Sequence, residues 1–164
     1  MDDRALVEAQ LGRPPRALRR VAVRCPWGRP AVTEQEPFDE DGRPFPTTYY
    51  LTCRHLVAAI SRLEAAGGVE RWTQAAAADP ELAASLERAT EEQRAVRRAL
   101  AGGGDGPGLD LGIGGAGRHG SLKCLHAHAA FALARPGYEL GERILAEVRP
   151  RWPDACCSLP AASR

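Results

Sequence analysis

The chain has 164 residues, of which 44% are hydrophobic and 26% charged, and its formal net charge is +1. That length and composition fit one folded domain with a core of useful size and argue against global disorder. The near-zero charge sets up no overall field toward nucleic acid, and no apolar run approaches the length of a membrane span.

The elements follow in chain order. Asp2 and Asp3 can cap a short helix through Leu6, Val7 and Leu11, ended by Gly12 and Pro14-Pro15. The opening Met1-Asp2-Asp3-Arg4 lacks the apolar core of a secretory signal, so the expected compartment is the cytoplasm. Residues 18–25 alternate as a strand, with Val21, Val23 and Cys25 on one face and Arg20, Ala22 and Arg24 on the other. Residues 31–34 suit a short second strand. Thr47-Thr-Tyr-Tyr-Leu-Thr-Cys53, rich in β-formers, reads as the third. Helical spacing then runs through Leu56, Ile60 and Leu63, through residues 70–78, and from Asp79-Pro80 along Leu82, Leu86, Val96 and Leu100. Glu87, Arg88, Glu91, Glu92, Arg94, Arg97 and Arg98 read as the solvated face of that last helix. Residues 102–120 hold ten of the seventeen glycines and read as a flexible connector. Ser121 is placed to cap a helix starting near Cys124, a final helix covers 139–148, and 150–164 reads as an extended tail. The fold expected is α+β: one domain, 1–164, with a small N-terminal sheet of two or three strands packed on four or five helices.

The most informative stretch is Lys123-Cys124-Leu125-His126-Ala127-His128. Residues four apart share a helix face, which sets Cys124 beside His128 and rotates His126 away. Lys123 is the only lysine, and a cation beside a thiol lowers its pKa. In the cytoplasm, five cysteines are expected to be thiols or metal ligands rather than disulfides. Cys25 and Cys53 each end a strand. In an up-down-up sheet both reach the same rim, about 4.8 Å apart if their strands are neighbours and twice that if a strand intervenes. With Cys124, His128 and the Cys156-Cys157 pair they could furnish the four ligands of a zinc-type site, although no CxxC chelate is present. Buried cysteines acting as small hydrophobes are the plainer reading.

Gly112-Ile-Gly-Gly-Ala-Gly117 matches the dinucleotide fingerprint in form only, because no preceding strand or following βαβ unit supports it. A weaker expectation survives: an anion held at the following helix by Arg118, His119, Ser121 and Lys123. Six arginines between Arg13 and Arg29 could meet phosphates, but the five acids from Glu34 to Asp41 would compete for them, so nucleic acid is not the expected partner.

Four blocks follow one another in order: Leu11-Gly-Arg-Pro-Pro-Arg16, Arg24-Cys-Pro-x-Gly28, Asp41-Gly-Arg-Pro-Phe-Pro-Thr-Thr-Tyr-Tyr-Leu-Thr-Cys53 and Leu122-Lys-Cys-Leu-His-Ala-His128. Together they resemble the actinobacterial domain-of-unknown-function family 501 over nearly the whole chain. The resemblance implies a small cytosolic bacterial protein with no assigned reaction, often encoded near enolase, a septum-formation initiator and an exopolyphosphatase. Its blocks fall on Cys25, Cys53, Cys124 and His126, which strengthens the metal reading. Phe131 stands where many members carry a histidine, and the Gly-rich insert is longer here, so the fourth ligand stays open between Cys156 and His128.

Three readings follow. The first is a non-enzymatic protein whose zinc or iron ion, held among Cys25, Cys53, Cys124, His126, His128 and Cys156, ties the strand ends to the Cys124 helix. The second is a thiol-dependent enzyme or sensor for an anionic small molecule, using Cys124, His128 and Lys123 beside the Gly-rich loop. The third is a metal-free structural or partner-binding domain.

Overall fold

The computed structural model of the protein describes residues 2–158. Asp2 caps helix α1 (Asp3–Leu11) by accepting the Ala5 N–H at 2.8 Å, and Gly12 closes it in the left-handed region at φ 71°. A three-stranded antiparallel sheet follows, with β1 (Leu18–Arg24), β2 (Pro30–Gln35) and β3 (Tyr49–Leu51) in that order across it. Every residue of β2 is buried, as its central position requires. β1 is a half-exposed edge whose register slips at three points, and Val21, Ala22 and Val23 are all partly buried rather than cleanly alternating. Irregularity of this kind is how edge strands avoid further pairing.

The arginine-rich and acid-rich stretches meet across this hairpin. Arg20 pairs with Glu34, Arg19 with Glu36 at 3.4 Å, and Arg16 with Asp41 at 3.2 Å. These guanidinium groups are therefore engaged within the chain.

The third strand is shorter than its β-rich sequence suggests. Ladder pairing covers Tyr49–Leu51, the Thr52 and Cys53 N–H groups both donate to the Ala31 carbonyl, and Cys53 becomes the N-cap of α2 (Arg54–Ala65). Helix α3 (Gly68–Ala78) leads to α4 (Pro80–Leu100), which Asp79 caps through the Glu81 N–H and Pro80 opens at the first turn. After the Gly-rich segment come α5 (Leu125–Ala134) and α6 (Glu139–Ala146), making six α-helices rather than four or five among the described residues.

Helix α5 is apolar nearly all round, and seven of its ten residues are buried, as a helix at the centre of a domain must be. Phe131 sits edge-on between Tyr49 of β3 and Tyr138, with ring centroids 5.5 Å from each. Gly141 lets α6 come close: a Cβ there would lie 2.7 Å from the Ala132 Cβ. The result is one α+β domain whose core lies between the sheet, α5 and α6.

Candidate functional site

Helix α4 supplies the Gly-rich segment with partners. Gln93 Nε2 donates to the Gly112 carbonyl at 2.7 Å, Arg94 Nε to the Asp110 carbonyl at 2.8 Å, and Arg97 Nε to the Gly108 carbonyl at 3.1 Å. Arg98 pairs with the Asp110 carboxylate. Leu109 and Ile113 are buried as apolar anchors. Arg97, expected on the solvated face, is 1% exposed. Its Nη1 donates to the Thr48 hydroxyl at 3.3 Å, its Nη2 has no hydrogen-bond partner, and no carboxylate pairs with it among the described residues. Burial lowers its pKa, yet a guanidinium stays charged at any physiological pH. Gly114 takes φ 69° in a short 3-10 turn (Ile113–Gly115), where a Cβ would stand 3.0 Å from Ala127.

Fixing the segment opens a cleft of about 510 Å³ between it and helices α3 and α4. Ala76, Leu86 and Ile113 give it apolar lining, and Glu87, Glu91 and Arg94 line it from α4. Arg118, His119 and Ser121, three of the four residues expected to hold an anion, line it from the segment. Lys123, the fourth, is exposed and close to Gly115, and is not among the cleft's lining residues. The geometry differs from a helix-terminus site. Helix α5 begins only at Leu125, and its Leu125 N–H donates to Glu64 Oε1 at 2.6 Å. A carboxylate from α2 thus occupies the helix end that Ser121 was expected to cap and an anion to fill.

The cysteines and histidines do not assemble as expected. Cys25 and Cys53 lie at one end of the sheet with β2 between their strands, which is the wider of the two spacings. Cys124 is the N-cap of α5 with extended backbone (φ −152°, ψ 148°), so it does not continue the helical row that would carry it beside His128. Burial pushes the Cys124 thiol up and the Glu64 charge adds to this, outweighing the downward pull of the Ala127 and His126 backbone N–H groups and of Lys123. His128 is 1% exposed, with Nδ1 2.7 Å from the Tyr138 hydroxyl and Nε2 unpartnered. Burial lowers its pKa to about 3, so the ring is neutral. Cys156 is buried, and it is Cys157 that reaches Cys53. Among the described residues no three His, Cys, Asp or Glu side chains form a group that could hold a metal ion. The six expected ligands therefore do not fit one tetrahedral zinc or iron site.

His126 has partners that sequence reasoning missed. Its Nδ1 lies 3.1 Å from Glu64 Oε1, and its Nε2 lies 3.1 Å from the Ser61 hydroxyl and 3.2 Å from the Val57 carbonyl. The order Ser–His–Glu invites comparison with a hydrolytic triad. Nε2, however, faces the Val57 carbonyl as well as the Ser61 hydroxyl, and a ring that carries its proton on Nε2 to meet that carbonyl has no lone pair there to take one from Ser61. The cluster ties α5 to α2. A Glu at the end of one helix and a His at the start of another carry no spacing signal that would have paired them.

Fold and site together define a small α+β protein with a polar-walled cleft under a glycine-rich segment. The chain belongs to the family described as Protein of unknown function (DUF501), whose model matches residues 21–146, from within β1 to the end of α6. The match takes in the whole cleft and stops short of Cys156 and Cys157. No curated protein and no solved structure matches the chain.

Proposed function

We propose that this protein binds a small anionic molecule in the cleft between α3, α4 and the Gly-rich segment. The observation that carries this reading is an unspent set of polar groups in a concave site. Among the described residues no side chain bonds to Arg118, His119 or Ser121, although all three line the cleft, whereas Arg94 is already held by Glu91 and the Asp110 carbonyl. The volume of about 510 Å³ falls within the range of small-molecule sites. Glu87 gives the α4 wall a carboxylate, so the matching ligand carries negative charge toward Arg118 and a hydrogen-bond donor toward Glu87.

A zinc or iron ion is the less supported reading. Cys53 and Cys157 would provide two sulfurs, and the described residues bring no further ligand to them. For a partner-binding surface the observation is thinner still: Trp27, 38% exposed at the turn after β1, stands as a single exposed ring rather than a patch.

Thermal melts of the protein against a panel of phosphorylated and carboxylated metabolites test the proposal. At least one anion should raise the melting temperature, and Arg118→Gln should weaken that ligand by about tenfold or more, the worth of a charge-assisted hydrogen bond. If no anion stabilises the protein, or if Arg118→Gln binds as the wild type does, the cleft is not an anion site.

A further inference from the structure

Cys53 and Cys157 are 104 residues apart in the chain, and their sulfurs lie 3.7 Å apart. Both are free thiols. Tertiary contacts on each side build this meeting. His55 Nε2 is 2.8 Å from the Pro150 carbonyl, which fixes the start of the tail, and Gln10 Nε2 donates to the Ser158 hydroxyl at 3.3 Å just past Cys157. The two thiols are not equivalent. Cys53, the N-cap of α2, is 3% exposed, whereas Cys157 is only partly buried and lies over the first turn of the same twelve-residue helix.

We propose that Cys157 and Cys53 form a thiol–disulfide exchange site for a low-molecular-weight disulfide, with Cys157 attacking and Cys53 resolving. The electrostatics agree with that division. Partial burial raises the Cys157 thiol, but the His55 backbone N–H, the Cys53 thiol, the Ser158 hydroxyl and the Arg54 backbone N–H outweigh it and bring the thiol below its usual value. These amides lie at the positive end of the helix dipole, where thiolates are stabilised. Burial pushes Cys53 up to about 11, so it keeps its proton while Cys157 attacks.

The chemistry balances without a cofactor. The Cys157 thiolate bonds to one sulfur of R–S–S–R and expels R–S⁻. Cys53 then passes its proton to that thiolate or to solvent and attacks the Cys157 sulfur, expelling the second R–S⁻. Two protein thiols are oxidised, and the small disulfide is reduced to two thiols. The other three cysteines are poorly placed to compete, since Cys25 and Cys156 are buried and the Cys124 thiol is raised by burial.

The test uses the full chain, reduced, then reacted with oxidised glutathione at pH 7, acid-quenched, alkylated and mapped by mass spectrometry. The wild type should gain a Cys53–Cys157 disulfide, and Cys53→Ser should accumulate glutathione on Cys157. Cys157→Ser should react about tenfold more slowly or worse, as expected when the low-pKa thiol is lost. In the wild type, iodoacetamide should label Cys157 several-fold faster than an unstructured peptide thiol, a readout that does not depend on either variant folding. A Cys156–Cys157 disulfide, glutathione on Cys124 or Cys156 in Cys53→Ser, or labelling of Cys157 at the peptide rate would each overturn the proposal.

Discussion

Helix α5 and the segment from Gly108 to Gly115 touch each other, and the forces that hold them are of different kinds. α5 is held by burial: Leu125, Ala127, Ala129, Ala130, Phe131 and Ala132 are all within a few percent of complete enclosure. Burial of this kind has no direction and is written in the helix's own apolar composition. The segment has two apolar anchors, Leu109 and Ile113, and is otherwise held by directed bonds from Gln93, Arg94, Arg97 and Arg98. Its partners sit on another helix, in a sequence that reads as an ordinary charged face. The cleft exists because the second kind of restraint is added to the first.

That contrast can be broken at several points. The largest effect belongs to α5: Phe131→Ala should cost about 3–5 kcal/mol of unfolding free energy, because it removes the ring packed between Tyr49 and Tyr138. Chemical denaturation would show it, and a loss below about 1 kcal/mol would mean that α5 is not the centre of the core.

Next comes acid. His128 is held neutral with a pKa near 3, against about 6.5 in the unfolded chain. Its folded pKa is depressed, so below pH 6.5 the unfolded state takes up a proton that the folded state refuses, and stability falls toward pH 3. Between pH 7 and pH 5 this amounts to about 2 kcal/mol. Urea midpoints at the two pH values should show that loss in the wild type and a correspondingly smaller one in His128→Leu. Equal losses would show that the ring is not buried as neutral imidazole.

The segment should respond more mildly. Gln93→Leu leaves the Leu111 and Gly112 carbonyls without their donor and should cost about 1–3 kcal/mol. Arg97→Met removes a buried guanidinium that has no carboxylate partner, and its net effect should lie within about 1 kcal/mol of zero. Hydrogen exchange at Gly108 and its neighbours should nonetheless speed up in Arg97→Met. Unchanged exchange in both variants would assign the segment's order to Leu109 and Ile113 alone.

Much of the fold was legible because its signals are local. Asp2 and Asp79-Pro80 mark helix starts and Gly12 marks a stop. Of the cleft, Arg118, His119 and Ser121 were legible as a polar group beside a glycine-rich turn, while the wall from α4 was not. The differences between pattern and structure share a cause. Helical spacing sets Cys124 one turn from His128, but Glu64 of α2 caps that helix at Leu125 and leaves Cys124 outside it. Nothing near Cys157 or Arg97 in the chain points to Cys53 or Thr48, the distant partners that each side chain reaches.

Local pattern alone marks most of the helices and strands, the α+β class, and which residues carry thiols, imidazoles and cations. Which of those groups meet is set by packing across the fold: Glu64 with His126, Cys53 with Cys157, Gln93 and Arg97 with the carbonyls beneath the cleft. The reason is physical. Caps, turns and hydrophobic periods act over a few residues and leave a pattern there, whereas a hydrogen bond or thiol contact across the fold depends on how whole elements pack and leaves no spacing to read.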